Sequence, residues 1–319
     1  MLPLEHLPTL ADIRETHGAI AHMIHRTPVL TCQSIDELTG VSLFFKCENF
    51  QKIGAFKMRG AASASLRLSD ADKQKGLTTH SSGNHAQAVA LSAKLLGVAA
   101  YIVMPENAPA IKKAGVKSYG GQIITCESTI EARERTLKQV QAETGATFIH
   151  PYDDYNVIAG QATAVKELIE DTQGLDIVVS PIGGGGLMSG TALCTKYLNP
   201  NIKVFGAEPE LVNDAYRSFK SGTFQHNTRI DTIADGLRTN LGDKTFPIIQ
   251  SHVDDIVTAT EEGIISAMRL IWERMKIIIE PSCAVPLAAI IENPAPFQGK
   301  KVGVLLTGGN VDLDALPFR

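Results

Sequence analysis

Short apolar segments alternate with helical patterns along the chain, and this alternation limits the possible folds more than any other feature. Several apolar segments are hydrophobic at every position rather than at every second one, which is typical of parallel strands buried on both faces. Strands that alternate with helices predict an α/β fold with right-handed crossovers. The predicted strands are residues 41–48, 76–80, 99–105, 122–126, 147–151, 176–182, 203–209, 255–260 and 302–309. The predicted helices are residues 84–96, 108–118, 127–143, 156–170, 186–198 and 261–275.

Nine predicted strands are more than one compact parallel domain usually contains, so we expect two α/β lobes. A chain of 319 residues is long enough for both, and its 44% hydrophobic and 20% charged residues are usual for a globular protein. The net charge of −4 and the lack of any basic run argue against nucleic acid or an anionic membrane as partners.

The cysteines and the apolar runs bear on the cellular compartment. There are five cysteines and no CxxC pair, which indicates reduced thiols rather than a disulfide framework or a structural zinc site. The first residues lack the apolar core of a signal peptide, and no run of 18 apolar residues occurs. We therefore expect a cytoplasmic protein.

Four consecutive glycines, Gly183–Gly186, lie between a predicted strand and a predicted helix. Such a loop presents free N–H groups and the positive end of a helix dipole, which together bind phosphate. The P-loop does not fit, because Leu187 and Met188 follow Gly186 where Lys and Ser or Thr are required, and Met188 also replaces the third glycine of the dinucleotide fingerprint. A glycine-rich turn without a ligand is the alternative, although four glycines carry an entropic cost on folding. The pattern predicts a site for a small phosphate ester.

Lys57 lies between Phe56 and Met58 at a predicted helix start. Most lysines are simply exposed. Apolar neighbours and a helix N-terminus, however, lower the pKa of an ammonium group and favour the free amine. A nucleophilic amine together with a phosphate site suggests a Schiff base with pyridoxal phosphate.

Two further turns follow predicted strands. The loop Ser81–His85 opens the helix 84–96, so its hydroxyl and amide groups can bind an anion such as a carboxylate. Ser82 or Asn84 could instead be an ordinary helix N-cap. The turn within Leu305–Asp312 is another turn from a strand to glycines. It supports a binding site only in combination with the other turns.

As a set, these stretches resemble the fold-type II pyridoxal-phosphate enzymes, and most of all the branch of serine racemases, serine/threonine dehydratases and threo-3-hydroxyaspartate ammonia-lyases. The resemblance implies a two-lobed fold like that of the tryptophan synthase β subunit, with parallel-rich twisted sheets and helices on both faces. Residues 1–66 and 152–319 would form the large cofactor-binding domain, and residues 67–151 a small domain that closes over the substrate. The similarity is carried by residues 26–30, 45–61, 81–88, 157–161, 183–186, 232–236, 272–281 and 307–312.

The resemblance also implies a role for each motif. Lys57 would bind the cofactor covalently, with Phe56 beside its ring, Asn84 at the ring 3-hydroxyl and Thr307 at the ring nitrogen. The phosphate would be bound by Gly183, Gly184, Gly185, Gly186 and Met188. The α-carboxylate of the substrate would be bound by Ser81, Ser82, Gly83, Asn84 and His85.

Thr307 and Ser82 bear on the reaction type. A hydroxyl group cannot keep the ring nitrogen protonated as a carboxylate would, which favours β-elimination from a 3-hydroxy amino acid. Lys57 would abstract the α-proton, and the products would be a 2-oxo acid and ammonia. In the racemase pattern the serine at position 82 lies on the face opposite the lysine, so a racemase is the alternative.

Two other functions fit the sequence less well. A β-replacing synthase of the cysteine-synthase type is disfavoured by the sequence FKMRG at residues 56–60, because those enzymes usually have Lys-Asp-Arg there. A non-catalytic binding protein is disfavoured because Lys57, Ser82, Asn84 and Thr307 are all present.

Two residues bear on the choice of substrate. Ala55 stands where many relatives have serine, which is similar to the hydroxyaspartate dehydratases and argues against simple serine specificity. A second substrate carboxylate would need a cation, and the resemblance places Arg133 at a substrate-contacting position. A solvated helix charge is the alternative for Arg133.

The segment Gly206–Asp214 suggests a metal. Two carboxylates, a carbonyl oxygen and waters suit Mg²⁺, Ca²⁺ or Mn²⁺ rather than zinc. The resemblance places a divalent site at Glu208, Asp214 and the carbonyl oxygen of Val212, whereas a strand-end acid and a helix cap are the alternative. The same resemblance implies a homodimer, and a nucleotide effector would bind near Lys52, Gln87 and Lys276.

Overall fold

The computed structural model describes residues 1–108 and 110–318 and contains two separate β-sheets. The strands are β1 (Val29–Leu30), β2 (Ser42–Cys47), β3 (Leu77–His80), β4 (Ala100–Pro105), β5 (Gln122–Cys126), β6 (Thr147–Phe148), β7 (Ile177–Pro181), β8 (Lys203–Pro209), β9 (Asp255–Ala259) and β10 (Lys301–Leu306). The helices are α1 (Leu10–Ile20), α2 (Gln33–Thr39), α3 (Lys57–Leu66), α4 (Asp70–Gln74), α5 (Asn84–Leu96), α6 (Ala110–Ser118), α7 (Ile130–Thr144), α8 (Tyr155–Asp171), α9 (Gly186–Leu198), α10 (Asp214–Ser221), α11 (Thr245–His252), α12 (Glu261–Met275) and α13 (Pro281–Glu292).

The larger sheet has the strand order β1-β2-β10-β7-β8-β9, and every pair in it is parallel except β1 with β2. The smaller sheet has the order β5-β4-β3-β6 and is parallel throughout. It is built from residues 77–148, inside the segment 67–151 that the sequence assigns to the small domain. The predicted α/β fold with parallel-rich sheets is confirmed.

Helices cover both faces of the larger sheet, which explains why its strands are hydrophobic at every position. On β7 and β10, Val179 and Val304 pack into the core beneath α12 and α13. Their chain neighbours Val178 and Leu305 point to the opposite face and pack with α8 and α9. Successive side chains of a strand alternate between faces, so a sheet buried on both sides requires an apolar residue at each position.

Several predicted boundaries differ from those observed, for identifiable reasons. The strand predicted at 147–151 keeps only Thr147 and Phe148, because Pro151 lacks an N–H group and the chain turns there toward α8. The helix predicted from residue 127 begins at Ile130, where Thr129 caps it by accepting a hydrogen bond from the Ala132 N–H group. In the described part of the chain, no helix is long and apolar enough to cross a membrane.

Candidate active site

Lys57 is the first residue of α3 and points at the segment that leads into α8. Its Nζ donates a hydrogen bond to the carbonyl oxygen of Pro151 at 2.8 Å and lies 5.1 Å from the ring centre of Phe56. Burial lowers the pKa of Lys57 to about 8, although the carboxylate of Glu280 acts in the opposite direction. A substantial fraction of the amine is therefore unprotonated near pH 8, as a nucleophile or a base requires.

A buried charge network holds the start of α3 in place. The guanidinium group of Arg59 donates to Glu48 at 2.7 and 2.8 Å and to Glu167 at 2.8 Å from each of two nitrogens. Lys46 also donates to Glu167, at 2.7 Å. All four side chains are buried, so removing one would leave a charge unpaired in the interior. Because Arg59 lies two residues after Lys57, this network fixes the start of α3 against α8.

The four glycines form the turn from β7 to α9, and other parts of the protein press against them. A Cβ atom on Gly184 would overlap the ring of Tyr152, and one on Gly186 would lie 2.8 Å from the carbonyl oxygen of Tyr152. Gly185 has a φ angle of 87°, which a side chain would strain. Thr245 braces the turn, since its Oγ1 donates to the carbonyl oxygen of Gly184 at 2.8 Å.

The N-terminus of α9 is available for an anion. Among the described residues no side chain caps it, so the first N–H groups of the helix are free, and they lie at the positive end of its dipole. The side chain of Met188 is buried in the core, which leaves only its backbone N–H group for a ligand. Gly183 is held tightly as well, because a Cβ atom there would lie 3.1 Å from the carbonyl oxygen of Gly236. The turn therefore has the chemistry of a phosphate site.

The loop Ser81–His85 connects β3 to α5 and offers a second set of donors. The residue before α5 is Gly83 and no side chain caps this helix, so the alternative that Ser82 or Asn84 is an N-cap is wrong. Ser81 instead accepts a hydrogen bond from the Gly83 N–H group at 3.3 Å. Ser82 is half-buried in the same loop. The free N–H groups at the start of α5 suit a carboxylate.

His85 lies at the buried end of this loop. Its Nε2 donates to the carbonyl oxygen of Ile149 at 2.9 Å, while its Nδ1 is buried and has no hydrogen-bond partner among the described residues. Burial, helped by the charge of Lys57, lowers the pKa of His85 to about 3. The imidazole is therefore neutral and keeps one unused acceptor.

Asn84 joins the two sides of the site. Its Nδ2 donates to both carboxylate oxygens of Glu280, at 2.9 and 3.1 Å, and its Oδ1 accepts from Nδ2 of Asn310 at 2.9 Å. Glu280 directly precedes α13. Burial raises the pKa of Glu280 to about 7, and the charge of Asp235 adds to this, whereas the hydrogen bond from Asn84 opposes it. The sequence predicts no role for Glu280, because its partner Asn84 lies 196 positions away in the chain.

Replacing Glu280 with glutamine is expected to change how stability depends on pH. The folded carboxyl group keeps its proton up to about pH 7, whereas in the unfolded chain it loses the proton near 4.5. Between these values the folded state binds more protons, so the contribution of Glu280 to stability falls as the pH rises. Wild-type apoprotein should therefore lose about 3 kcal/mol relative to Glu280→Gln between pH 4.5 and 7.5. Urea unfolding at a series of pH values measures this difference.

The quantity to compare is the difference in unfolding free energy between wild type and Glu280→Gln at each pH. His85 and His150 also have lowered pKa values and affect both proteins in the same pH range. Parallel stability curves for wild type and variant would show that Glu280 titrates normally.

Thr307 directly follows β10 and is buried. Its carbonyl oxygen accepts from the N–H group of Phe56 at 3.0 Å, which places it beside the residue that precedes Lys57. The next residue, Gly308, forms a bridge with Ala55 and accepts from the Glu280 N–H group at 3.0 Å. The C-terminal turn therefore lies against both the lysine segment and Glu280.

Arg133 lies on α7, on the side of the smaller sheet. Its Nε is buried and has no hydrogen-bond partner within the described residues. Burial lowers the pKa of His80, the residue that precedes Ser81. The charge of Arg133 lowers this pKa further, whereas the charge of Glu134 raises it. Arg135, by contrast, is 69% exposed and lies 4.0 Å from Glu127. Arg133 itself is half-buried, so it is less exposed than Arg135.

Glu208 and Asp214 form a buried acidic pair away from Lys57. The carboxylate of Glu208 lies at the start of α10 and accepts hydrogen bonds from the N–H groups of Ala215 and Tyr216 at 3.2 and 2.6 Å. Asp214 accepts from the Leu241 N–H group at 2.8 Å. Burial raises the pKa of both groups, and the charge of Asp214 raises that of Glu208 further. Groups of three or more His, Cys, Asp or Glu side chains that could hold a metal are absent from the described part of the chain.

A cavity of about 410 Å³ opens beside the C-terminal turn. Of the three residues predicted for a nucleotide effector, Gln87 lines this cavity, whereas Lys52 and Lys276 do not appear among its described lining residues. Lys52 donates instead to the carbonyl oxygen of His22 at 3.3 Å. The lining also includes Lys112, Gly115, Ser118, Asn310 and Val311.

Comparisons with known proteins match most of the chain. A family model described as pyridoxal-phosphate dependent enzyme matches residues 20–308. The chain is 52% identical to beta-hydroxyaspartate dehydratase of Paracoccus denitrificans, over 98% of this chain and 100% of that one. It is 47% identical to L-threo-3-hydroxyaspartate ammonia-lyase of Saccharomyces cerevisiae, over 96% of this chain and 94% of that one. The solved structure of maize serine racemase superposes with a TM-score of 0.95 at 46% identity, covering 97% and 95% of the two chains.

Proposed function

This chain belongs to the family of pyridoxal-phosphate dependent enzymes, and we propose that it is an ammonia-lyase (a dehydratase) that converts a 3-hydroxy amino acid to a 2-oxo acid and ammonia. Its preferred substrate is threo-3-hydroxyaspartate, ahead of L-serine and L-threonine. The observation that carries this preference is the buried, unpaired Nε of Arg133 near the loop Ser81–His85. A guanidinium group in that position suits a second substrate carboxylate. Two of the relatives are named for hydroxyaspartate.

The residues present fit the cofactor. Lys57 has an amine with a lowered pKa, and α9 begins with free N–H groups that suit a phosphate. Asn84 supplies a side-chain amide for the ring oxygen, and Thr307 supplies a neutral hydroxyl for the ring nitrogen. Bound pyridoxal phosphate provides the electron sink that stabilises the carbanion formed at the substrate Cα.

The chain itself binds the substrate and moves its protons. The free N–H groups of α5 and the loop Ser81–His85 bind the α-carboxylate, and Arg133 binds the β-carboxylate. Lys57, as a free amine, takes the α-proton. The bond from Cβ to the hydroxyl oxygen then breaks, the departing hydroxyl takes up a proton from the ammonium group of Lys57, and water leaves. The unsaturated product takes up one water, releases ammonia and becomes the 2-oxo acid.

An assay of 2-oxo acid and ammonia tests the proposal. Purified protein with pyridoxal phosphate and Mg²⁺ would be given L-serine, D-serine, L-threonine, and L- and D-threo-3-hydroxyaspartate. We expect kcat/KM for one hydroxyaspartate isomer to exceed that for serine by about 100-fold, the value of one well-placed ion pair of about 3 kcal/mol. Equal kcat/KM values would contradict the dicarboxylate preference, and no release from any substrate would contradict a lyase.

The presence of Ser82 favours a second candidate function, an amino-acid racemase with elimination as a side activity. Ser82→Ala is expected to lower racemisation about 100-fold, because general acid–base catalysis from the second face would be lost. Elimination uses Lys57 as its base, and the N–H groups of α5 still bind the α-carboxylate, so its rate should stay within about threefold. Chiral analysis of the remaining substrate and 2-oxo-acid release in the same sample measure both rates. An equal loss of both would show that Ser82 serves binding rather than racemisation.

We propose that Glu208, Asp214 and the carbonyl oxygen of Val212 bind Mg²⁺, with Ca²⁺ or Mn²⁺ as substitutes. The two carboxylates are buried together with raised pKa values, so a divalent cation would neutralise a costly pair. Asp214 also receives the Leu241 N–H group, and Leu241 lies against Gly185. A cation there would therefore stabilise the loop that packs on the glycine turn.

Chelation is expected to lower the melting temperature, and 100-fold excess Mg²⁺ over its dissociation constant to raise it again by about 5 °C. Glu208→Gln should abolish this response. Glu210→Gln is the matched control, because Glu210 lies two residues away but is exposed. Differential scanning calorimetry measures the shift, and an unchanged response in Glu208→Gln would exclude this pair as the metal site.

We further propose a cytoplasmic homodimer. All five cysteines are unpaired, which suits a reducing compartment. The large apolar side chains of Phe50 and Ile278 are 45% and 49% exposed, and Asn49 links their segments by donating to the Ile278 carbonyl oxygen. Light scattering would measure the mass, and a monomer would exclude the dimer.

ATP titration by calorimetry would test a nucleotide effector at the cavity lined by Gln87.

Residues 67–151 are proposed to form a domain that closes over the substrate. Lys112 on α6 forms an ion pair with Asp235, which connects this segment to the larger sheet's side of the site. Small-angle scattering with a dicarboxylate inhibitor should show a smaller radius of gyration, and an unchanged profile would count against closure.

A further inference from the structure

We infer that Asn310 is a positioning residue that turns the side-chain amide of Asn84 so that an N–H group, rather than the carbonyl oxygen, faces the cofactor. This rests on the proposed function, since it takes the cofactor ring to bind beside Asn84. Asn310 itself lies in the C-terminal turn after β10 and acts through Asn84.

The orientation begins at a backbone group that can only accept hydrogen bonds. The carbonyl oxygen of Ile53 accepts from Nδ2 of Asn310 at 2.7 Å, and the same nitrogen donates to Oδ1 of Asn84 at 2.9 Å. These two bonds use both hydrogens of the Asn310 amide. Turning this amide over would set its oxygen against the oxygen of Ile53, so Ile53 determines which way Asn310 faces.

The other end of the chain of bonds agrees with this direction. With its Oδ1 occupied by Asn310, Asn84 presents Nδ2 to the carboxylate of Glu280, at 2.9 and 3.1 Å. A reversed Asn84 would place its nitrogen against the nitrogen of Asn310, where two donors would face each other. One Asn84 hydrogen shared by the two oxygens of Glu280 leaves the other free. Because Asn84 is half-buried rather than sealed, that N–H group can reach a ligand.

Asn310 also holds the segment that leads to Lys57. Ile53 has a φ angle of 62°, a strained conformation for a β-branched residue. Such strain persists only where the surroundings enforce it, and Asn310 supplies the bond to the Ile53 carbonyl oxygen. Gly54 packs directly on Asn310, since a Cβ atom there would lie 2.8 Å from its Oδ1. One side chain therefore sets both the approach to the lysine and the direction of Asn84.

The direction of this amide has a chemical consequence. An N–H donor stabilises the ionised form of the ring oxygen, whereas a carbonyl oxygen would favour its protonated form. Losing the donor should therefore weaken cofactor binding and move the protonation of the bound cofactor to higher pH.

The test replaces the amide of Asn310 by a carboxylate of the same shape. Asn310→Asp presents an acceptor to both Ile53 and Asn84, so it removes the reason for Asn84 to face one way. We expect the dissociation constant for pyridoxal phosphate to rise about tenfold or more, as for loss of a hydrogen bond to a charged group. The pH midpoint of the bound cofactor's absorbance change should move upward. Equilibrium dialysis and absorbance titration measure these quantities.

Asn293→Asp is the matched control. The Nδ2 of Asn293 also donates to two carbonyl oxygens, those of Thr258 and Ala289, both at 3.0 Å, and it lies outside the site. The same chemical change there should destabilise the apoprotein without altering cofactor affinity or the pH midpoint. If Asn310→Asp does not fold, Asn310→Ser removes the donor without adding charge and should show the same direction of change.

A double-mutant cycle separates an action through Asn84 from general damage. In an Asn84→Ala background, Asn310→Asp should weaken cofactor binding by less than about twofold, because there is no amide left to orient. Wild-type affinity and pH midpoint in Asn310→Asp, or a full tenfold loss without Asn84, would overturn the inference. Failure of the wild-type chain to bind pyridoxal phosphate would instead overturn the proposed function, and this role with it.

Discussion

Replacing Lys57 with arginine is expected to lower 2-oxo-acid release at least about 10,000-fold. The arginine keeps the positive charge and can still donate to the Pro151 carbonyl oxygen, but its guanidinium group stays protonated and so cannot act as a nucleophile or a base. Two functions of one residue are lost together, covalent attachment of the cofactor and removal of the α-proton. Either alone is worth several orders of magnitude.

Borohydride reduction followed by mass spectrometry locates the attachment. In wild type the reduced cofactor should be found on the peptide that contains Lys57, and in Lys57→Arg it should be absent. Lys203→Arg, an exposed lysine at the start of β8, is the control for the same substitution elsewhere. Retention of more than about 1% of the activity in Lys57→Arg would exclude Lys57 as the catalytic amine.

The sequence predicts most strands of this fold because burial on both faces leaves uninterrupted apolar runs. Helices α5, α9 and α12 also begin and end where the sequence predicts. It does not predict α13, which is buried on all sides and contains Pro286, so it shows neither an amphipathic stripe nor the usual absence of proline. Helix α3 was recognised only at its start, since its small residues Ala61, Ala62 and Ala64 give no apolar periodicity.

The same distinction between local and distant features decides which site residues the sequence predicts. Lys57, the glycine turn and the loop Ser81–His85 can be predicted because each is a local feature in which a strand ends and a helix begins. Glu280, Glu167 and Asn310 cannot, because each acts through a partner more than 100 positions away in the chain. A single sequence carries no local signal for such pairs. The two residues of each pair come into contact only when the chain has folded.

The distant partners decide how the local features behave. Lys57 owes its lowered pKa to burial between segments from both sides of the site. The glycines are required as much by Tyr152 and Thr245 as by any ligand. The sequence therefore indicates which groups could react, while the tertiary structure determines their protonation states and the orientation of their side chains.

Replacing Arg133 with glutamine is expected to lower kcat/KM for threo-3-hydroxyaspartate about 100-fold. The structure gives its buried Nε no partner within the described residues, so the substrate's second carboxylate would be its counter-charge. Arg133 is half-buried, and the loss of one well-placed ion pair of about 3 kcal/mol corresponds to this factor. Activity on L-serine, which has no second carboxylate, should change by less than about fivefold. Steady-state kinetics on both substrates measure the change in preference.

Arg135→Gln is the matched control, because Arg135 lies on the same helix two residues away and is mostly exposed. It should leave both substrates unaffected, since exposed ion pairs contribute little. A parallel loss on both substrates in Arg133→Gln would mean that Arg133 supports the fold of the smaller sheet rather than binding the β-carboxylate. Retained preference for hydroxyaspartate would mean that a group other than Arg133 binds the second carboxylate.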